Sequence, residues 1–227
     1  MNKSVALPKA IFYDWDGTLA DSYKFLESAH NHVRRGLGLT EFKGDEFKGY
    51  FGHPREKLYA ELYGHEIEQA KSLFGDYVTK HHMDNLNSME GAEELLKIGA
   101  DLGIVMGVVS NKKAQFLRQE IEGFGWGGYF KAVVGAGDAP RDKPAADPLI
   151  KIANDCGYNN LENAWYVGDT DVDLQCAKNA LCASVFIMHD TRSDEWIKLY
   201  KPFLIFENCR FMADFLLQCS GNKIKAG

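Results

Sequence analysis

Residues 10–22 read AIFYDWDGTLADS, an apolar, β-prone run that ends in two aspartates, Asp14 and Asp16. Such a strand end, followed by a glycine turn, is typical of the edge at which open parallel α/β sheets bind their ligands. Because alternate residues of a strand face the same way, both carboxylates can serve one site. Asp14 could then act as nucleophile and Asp16 as proton donor and acceptor. Taken alone, the pattern is more typical of a strand that ends in a polar turn.

The overall composition is that of an ordinary globular protein. The chain has 227 residues, 45% hydrophobic and 26% charged, which suffices for one large domain or for a core with a smaller inserted domain. Its formal charge of −6 gives no electrostatic reason to expect a nucleic acid or an anionic membrane as partner. A phosphate ester would be repelled by an acidic pocket, so such a substrate requires a positive group in the site.

The cysteines indicate a reducing compartment. The five cysteines are odd in number and include no C-x-x-C pair, which argues against a disulfide framework and a zinc site. The start of the chain is not a convincing signal peptide, and no apolar run approaches the length of a membrane span. We therefore expect a cytoplasmic protein.

Strand-like and helix-like segments alternate along most of the chain, which is typical of a parallel sheet covered by helices. Between about Tyr23 and Asn87, apolar residues instead follow helical spacing, interrupted by glycines. We predict a Rossmann-like parallel α/β core formed by residues 1–20 and 88–227, with a small helical domain, residues 21–87, inserted after the first strand. The strand-like runs are AIFY (10–13), IVMGVVS (104–110), AVVG (132–135), AWYVG (164–168), ASVFIM (183–188) and FLIF (203–206).

A second candidate for chemistry is Ser110-Asn111-Lys112, at the end of the run IVMGVVS. A hydroxyl at the end of a strand, followed by the free backbone N–H groups of a helix, suits a phosphoryl oxygen. The alternative is an ordinary helix N-cap, because serine and asparagine are favoured at that position in any case.

Lys143, in the stretch RDKPAADP, is the candidate for the required positive charge. A lysine before a proline is usually a solvated loop residue. Beside several aspartates, however, it would hold a transferring phosphoryl group and offset the repulsion from the carboxylates. Asp147 is expected to cap the helix whose first turn contains Pro148.

The stretch YVGDTDVDL places Asp169 directly after an apolar strand and Asp173 four residues later. Both aspartates could simply serve a helix start, and we assign Asp171 to the helix cap. A phosphate that faces Asp14, Asp16 and Asp169 nevertheless needs a hard cation. Mg²⁺ suits this set, because it binds few carboxylates together with water and substrate oxygens.

Together, the motifs DWDGTLADS, VVSNKK, RDKPAADP and YVGDTDVDL resemble those of the haloacid dehalogenase-like superfamily of aspartate-nucleophile hydrolases, in particular its phosphoglycolate phosphatase-like branch. The order of the motifs and the helical insertion extend the resemblance over nearly the whole chain. It implies hydrolysis of a small phosphorylated metabolite through an aspartyl-phosphate, and a helical cap that closes over the core's active site. Ala146 stands where the family usually has proline.

The resemblance also implies a role for each motif residue. Asp14 would attack phosphorus and Asp16 would exchange protons with the leaving group and with water. The expected sets are Asp14, Asp16, Ser110 and Lys143 for catalysis, Thr18, Ser110, Asn111 and Lys143 for phosphate binding, and Asp14, the backbone carbonyl of Asp16 and Asp169, supported by Asp173, for Mg²⁺.

The helical insertion is expected to set substrate specificity, because the four motifs address only phosphate and metal. The candidates are His53 and Arg55, which follow the flexible Gly52. Arg55 could pair with a carboxylate or a second phosphate of the substrate, or it could be an ordinary charged residue in the first turn of a helix. Trp15, between the two aspartates, is bulkier than expected and has no evident role in the mechanism.

Three other functions fit parts of this pattern. A β-phosphoglucomutase-like enzyme has the same four motifs and an arginine comparable to Arg55. A 2-haloacid dehalogenase expels halide, which needs no proton, so Asp16 argues against it. A non-catalytic scaffold would be expected to lack a catalytic residue, and none is missing. The resemblance makes 2-phosphoglycolate the leading substrate, and the oligomeric state is not predicted.

Overall fold

The computed structural model describes residues 5–44, 46–50, 55–84, 86–188 and 193–224. Its main sheet has six strands in the order β5-β4-β1-β6-β7-β8, and all neighbouring strands pair in parallel. β2 and β3 form a separate two-stranded sheet. The strands are β1 (Ala10–Tyr13), β2 (Ala20–Asp21), β3 (Asn87–Ser88), β4 (Val105–Lys113), β5 (Ala132–Ala136), β6 (Ala164–Gly168), β7 (Ala183–Ile187) and β8 (Leu204–Phe206).

Helices follow most strands of the main sheet, and a further group lies between β2 and β3. Short 3-10 turns occur at Glu46–Tyr50, Gly64–Glu66 and Gly127–Tyr129. The α-helices are α1 (Tyr23–Gly36), α2 (Arg55–Tyr63), α3 (Ile67–His81), α4 (Ala92–Asp101), α5 (Ala114–Gly123), α6 (Asp147–Asp155), α7 (Asp171–Asn179), α8 (Ser193–Tyr200) and α9 (Cys209–Ile224). Within the described part of the chain, no helix combines the length and the apolar character that a membrane span requires.

The central strand β1 is covered on both faces. Ile11 and Tyr13 belong to one hydrophobic cluster, together with residues of α4, α5 and α9. Ala10 and Phe12 belong to a second cluster, which contains residues of α6 and α7. Because consecutive strand residues point to opposite faces, the four apolar residues of β1 supply both cores in turn. A strand buried on both faces reads as a continuous apolar run, which explains the sequence AIFY.

Contacts within the chain divide it into two compact units. One unit consists of Met1–Ala20 and Ser88–Gly227 and contains the whole main sheet. The other is the helical unit Asp21–Asn87. Its interior is formed by Val33, Tyr59, Tyr63 and Ala70.

The predicted parallel α/β core is confirmed, and several local predictions are wrong. β4 does not end at Ser110 but runs on to Lys113, which excludes the alternative reading of Ser110 as a helix N-cap. Asp147 is the first residue of α6, which follows Ala146, and Asp171 is the first residue of α7, which follows Thr170. Neither aspartate is therefore the cap residue. The two-residue strands β2 and β3 were not predicted, because two residues are too few to show alternation.

The strand order brings the predicted motifs to one edge of the sheet. β1 lies between β4 and β6, and Tyr13 at its end is in register with Val108 and Val167. The segments that follow these three strands therefore emerge side by side at the carboxyl edge. In open α/β sheets, this edge is where ligands bind.

Candidate active site

Lys143 is the centre of a buried group of charges at this edge. Its Nζ donates to Asp14 Oδ1 at 2.7 Å and to Asp173 Oδ1 at 2.7 Å. The side chain is only 3% exposed. Burial alone would lower the pKa of the ammonium, but Asp14 and Asp173 raise the Lys143 pKa above its ordinary value. The two carboxylates therefore favour the charged form of Lys143, the residue proposed from the sequence as the positive group of the site.

Asn111 holds the backbone of Lys143 in place. The Asn111 Nδ2 donates to the Lys143 carbonyl oxygen at 2.9 Å, and the Lys143 N–H donates to Asn111 Oδ1 at 2.9 Å. One amide group thus satisfies both main-chain groups of a single residue. The structure assigns Asn111 a contact with Lys143 that its prediction as a phosphate-binding residue did not include.

Ser110 and Asn111 project from a bulge near the end of β4. Val109 is in register with Val134 of β5, but Lys113 is in register with Ala136, so four steps along β4 match two along β5. Extra residues in one strand leave the hydrogen-bonded ladder and bend the strand. In this bulge, Ser110 is buried and its Oγ accepts a hydrogen bond from the Lys112 N–H at 3.2 Å.

Three buried carboxylates face the single ammonium of Lys143. Oxygens of Asp14, Asp169 and Asp173 lie within 4.8 Å of one another. Burial and the charge of Asp173 raise the pKa of Asp14 to about 7, although Lys143 acts to lower it. Burial, followed by the charges of Asp173 and Asp14, raises the pKa of Asp169 well above its usual range. Buried hard oxygen donors with an excess of negative charge are the donor set that a divalent cation such as Mg²⁺ requires.

Asp173 is held by several donors. Besides Lys143, it accepts hydrogen bonds from the Tyr166 hydroxyl at 3.0 Å, the Thr170 hydroxyl at 2.6 Å and the Thr170 N–H at 3.1 Å. The last contact forms part of a capping box at the start of α7. Because both oxygens of Asp173 already accept hydrogen bonds, the residue is better suited to orienting Lys143 than to binding a metal ion directly.

Glycine permits the close approach of the aspartate segments. Gly17 has φ +83°, and a Cβ at this position would lie 2.3 Å from Asp169 Oδ2. A Cβ at Gly168 would lie 2.4 Å from the Cβ of Asp173. Side chains at either position would displace the carboxylates. Next to Gly17, the Thr18 hydroxyl donates to Asp169 Oδ1 at 2.8 Å and orients that carboxylate.

The structure thus brings most of the predicted site residues to one place. Asp14, Lys143 and Asp173 are in direct contact, and Thr18 contacts Asp169. His53 lies outside the described residues, and the side chain of Arg55, the first residue of α2, is not described.

The family of the chain follows from comparison with known proteins. The model of the family described as haloacid dehalogenase-like hydrolase matches residues 11–187. The chain belongs to this family. The match spans all four motifs and classes the protein, with its relatives, as a hydrolase of the phosphatase type.

Individual relatives support the same assignment. The chain is 24% identical over 220 residues to a phosphoglycolate phosphatase from Psychrobacter arcticus, covering 92% of this chain and 95% of the relative. It is 27% identical over 200 residues to a protein from Caldanaerobacter subterraneus whose name assigns it a pyrophosphatase activity, covering 88% and 90%. A solved haloacid dehalogenase-like hydrolase from Streptococcus pneumoniae has the same fold, with a TM-score of 0.82 at 19% identity over 92% of this chain and 98% of that one.

Sequence reasoning missed several residues that hold the predicted ones. Tyr166 and Thr170 bind Asp173, and Lys112 binds Asp16 Oδ1 at 2.7 Å. The Thr170-x-x-Asp173 spacing of a capping box is a signal that could have identified Thr170. Nothing in the local sequence marks Tyr166, which lies in an apolar strand, or pairs Lys112 with a residue 96 positions away.

Proposed function

We propose that this enzyme hydrolyses a small phosphate monoester in a Mg²⁺-dependent reaction through an aspartyl-phosphate on Asp14. One observation carries the proposal: Asp14, Lys143 and the acidic pair Asp169 and Asp173 form one buried charged group at the carboxyl edge of the sheet. Asp16 lies two residues after Asp14 and supplies a second carboxylate. This carboxylate is more exposed than the buried Asp14, with 21% of its side chain accessible.

In the first step, a carboxylate oxygen of Asp14 attacks phosphorus as the ester P–O bond breaks. Asp16 gives its proton to the departing alkoxide, so that an alcohol leaves. Lys143 holds the phosphoryl oxygens and balances their charge. Ser110, on the bulge of β4, supplies a hydroxyl to the same group.

In the second step, water attacks the phosphorus of the aspartyl-phosphate. Asp16, now ionised, accepts a proton from this water, and the bond between phosphorus and the Asp14 oxygen breaks. Inorganic phosphate leaves, the carboxylate of Asp14 is restored and Asp16 is again protonated. Each turnover consumes one water and returns both aspartates to their starting state.

The proposed Mg²⁺ would be held by a side-chain oxygen of Asp14, the backbone carbonyl of Asp16, and Asp169. When bound, it supplies positive charge that allows a phosphate dianion to approach these carboxylates. Asp173 supports the group through Lys143, in accord with its hydrogen bonds to Tyr166 and Thr170.

For the substrate we propose 2-phosphoglycolate, in accord with the name of the Psychrobacter relative, a phosphoglycolate phosphatase. Its carboxylate offers Arg55 an anionic partner. We place the reaction in the cytoplasm, a location that the pattern of cysteines supports.

A screen of phosphorylated metabolites tests the proposal. With Mg²⁺, we expect 2-phosphoglycolate to release inorganic phosphate faster than pyrophosphate or β-glucose 1-phosphate. Conversion of the sugar phosphate to its isomer, instead of release of phosphate, would identify a mutase. Faster hydrolysis of pyrophosphate would refute the substrate assignment and leave the mechanism intact.

Two further measurements test the mechanism. Excess chelator should abolish turnover and Mg²⁺ should restore it, whereas Ca²⁺ should inhibit because its larger and looser ligand shell misplaces nucleophile and phosphorus. Full turnover in chelator would refute the metal requirement.

The second measurement concerns the nucleophile. Asp14→Asn should lose activity by at least about a thousandfold with an unchanged circular dichroism spectrum, since an amide is not a competent nucleophile. Asp171→Asn, at the first position of α7, is the matched control.

A further inference from the structure

A second buried charged group lies next to Asp16. The Lys112 Nζ donates to Asp16 Oδ1 at 2.7 Å and to Glu120 Oε2 at 2.6 Å. The same Glu120 oxygen accepts a hydrogen bond from the indole N–H of Trp15 at 2.7 Å. The side chain of Lys112 is 9% exposed and that of Glu120 is 1% exposed. The chain of contacts therefore runs from Trp15 through Glu120 and Lys112 to the carboxylate of Asp16.

The charges of this group are costly where they lie. Glu120 is on the buried side of α5 with Phe116, Leu117 and Ile121. Burial raises the pKa of Glu120, and burial alone would lower that of Lys112, whose pKa Asp16 and Glu120 instead raise above its ordinary value. Replacing buried ion pairs with apolar residues often leaves a protein equally stable, so stability alone does not explain the group.

Trp15 gives the group a rigid base. Its ring is fully buried and packs edge-on against Phe124 at 5.7 Å and Trp126 at 6.0 Å between ring centroids. Since Trp15 is the residue between Asp14 and Asp16, fixing its ring also fixes the backbone that joins the two aspartates. Phenylalanine or an aliphatic residue could fill space here but could not donate to Glu120.

We infer that Lys112 is a positioning residue for Asp16, and that Glu120 and Trp15 hold Lys112 in position. Lys112 donates a hydrogen bond to Oδ1 of Asp16, and among the described residues no donor contacts Oδ2. One oxygen is thereby anchored while the other is left to exchange a proton with the leaving group. The inference rests on the proposed function, because it assigns Lys112 a task only if Asp16 is the acid–base residue.

The leaving group of the substrate provides a test. The phenolate of phenyl phosphate is a poor leaving group and benefits from a proton, whereas 2,4-dinitrophenolate departs without one. The two esters place an aromatic ring of similar size in the site. The ratio kcat/KM covers only the steps up to departure of the leaving group, so hydrolysis of the aspartyl-phosphate does not enter the comparison.

For Lys112→Met in the full chain with Mg²⁺, we expect kcat/KM to fall about 100-fold on phenyl phosphate, the loss that a misplaced catalytic group typically causes. On 2,4-dinitrophenyl phosphate the loss should be no more than a few-fold. Trp15→Phe should show the same pattern at about 10-fold. The matched control is Lys113→Met, which removes the exposed neighbouring lysine and should leave both rates unchanged.

Equal losses on the two esters would overturn the inference, since they would indicate a role in folding or phosphate binding. No loss on either ester would overturn it as well. If Lys112→Met does not fold by circular dichroism, Glu120→Gln carries the test, because glutamine keeps the shape of the side chain and removes its charge. The same leaving-group pattern in that variant would support the inference.

Asp16→Asn separates this inference from the proposed function. If that variant loses activity equally on both esters, the acid role of Asp16 is wrong and the proposed mechanism fails. If it loses activity selectively on phenyl phosphate while Lys112→Met and Glu120→Gln do not, only the positioning role is refuted. In the double variant Asp16→Asn with Lys112→Met, we expect no loss beyond that of Asp16→Asn alone, because residues that act as a unit are not additive.

Discussion

At the scale of single residues, the site is defined by an imbalance of charge. Asp14, Asp169 and Asp173 are buried around one ammonium, that of Lys143. Paired buried charges are tolerated when hydrogen bonds satisfy them, whereas surplus charges of one sign shift their pKa instead. The raised pKa values of Asp14 and Asp169 are this response. The same imbalance that destabilises the cation-free site favours the binding of a cation.

The cation-free protein should therefore lose stability as the pH rises. Burial and the charge of Asp173 raise the pKa of Asp14 to about 7 in the folded protein, from the ordinary 3.8 of an aspartate carboxyl. A group whose pKa is raised on folding contributes stability that is fully present below its unfolded pKa and is lost as the pH rises through its folded pKa. In excess chelator, we expect a higher melting temperature at pH 6 than at pH 8, measured by circular dichroism.

Mg²⁺ should reverse this trend, because it binds the ionised carboxylates. Its stabilising effect should be larger at pH 8 than at pH 6. The control is Asp14→Asn, which has no proton to release at this position and should show a weaker pH dependence in chelator. A chelated wild type that is equally stable at both pH values would contradict the charge imbalance described above.

At the scale of structural elements, the bulge near the end of β4 organises the site. It places Ser110, Asn111 and Lys112 between the regular ladder and the start of α5. Ser110 lies in the buried part of the site, Asn111 clamps the backbone of Lys143, and Lys112 binds Asp16. A regular strand would point successive side chains to opposite faces, so the departure from regularity lets three consecutive residues address neighbouring parts of one site.

Removing the two hydrogen bonds between Asn111 and the backbone of Lys143, here called the clamp, tests the importance of the β4 bulge. Asn111→Ala deletes two hydrogen bonds to Lys143 and should cost about 1–3 kcal/mol of unfolding free energy. Displacement of Lys143 should also lower kcat by about 10–100-fold. Urea denaturation and steady-state kinetics measure the two effects.

Asn179→Ala is the matched control for this prediction. The Asn179 Nδ2 donates at 2.8 Å to the carbonyl oxygen of Pro144, the residue after Lys143. That variant should lose some stability but keep most of its kcat, because the backbone of Lys143 retains both of its bonds to Asn111. Similar kcat losses in the two variants would mean that the loop as a whole, and not the clamp, sets the position of Lys143.

The elements that sequence reasoning identified are those with a strong local signal. The buried strands β1 and β6 were predicted at their correct bounds, because a strand covered on both faces must be apolar throughout. Asp14, Asp16 and Asp169, which follow these strands, were expected to face one phosphate, and the adjacency of β1 and β6 explains why they lie at one edge. The first of these arguments needs no knowledge of distant contacts.

The elements that were missed depend on partners far away in the chain. The bulge of β4 is visible only in its register with β5, and the cap of α7 is Thr170 rather than Asp171 because Asp173 bonds back to it. Glu120 and Trp15 are 105 positions apart, so no local pattern joins them. Trp15 had no evident role in the sequence, since its purpose depends on a contact that only the folded chain makes.

At the scale of the whole molecule, the proposed catalytic residues and the helical insertion lie in different parts of the chain. The proposed catalytic and metal-binding residues of the four motifs, and the anchor of Asp16, belong to the unit formed by Met1–Ala20 and Ser88–Gly227. The helical unit Asp21–Asn87 contains none of them but includes α2, which begins at Arg55. We propose that this unit selects the substrate, because the four motifs address only phosphate and metal.

Arg55→Ala tests this division. If Arg55 binds a second anionic group of the substrate, the variant should lose about 1.5–3 kcal/mol of transition-state stabilisation with 2-phosphoglycolate, the range for a hydrogen bond to a charged group. Most of the loss should appear in KM if the contact is equally strong before and during the reaction. Steady-state kinetics measure both constants.

Phenyl phosphate and a neighbouring lysine supply the controls. The ring of that ester carries no charge for Arg55 to bind, so Arg55→Ala should lose little activity on it. Lys57→Ala, at an exposed position of the same helix, should lose little on either substrate. Equal losses of Arg55→Ala on both substrates would point to a structural role. No loss on either substrate would mean that Arg55 is an ordinary charged residue in the first turn of α2.

The pairing of β2 with β3 has an evolutionary consequence. The chain departs from the sheet-bearing unit and comes back to it through two hydrogen-bonded strands, and such neighbours lie about 4.8 Å apart. Another segment whose two ends are equally close could replace the insertion between β2 and β3 without changing the strand order of the main sheet. Residues 21–87 could therefore be exchanged as one unit. If this unit selects the substrate as proposed, such an exchange would change the substrate while the proposed catalytic residues stay in place.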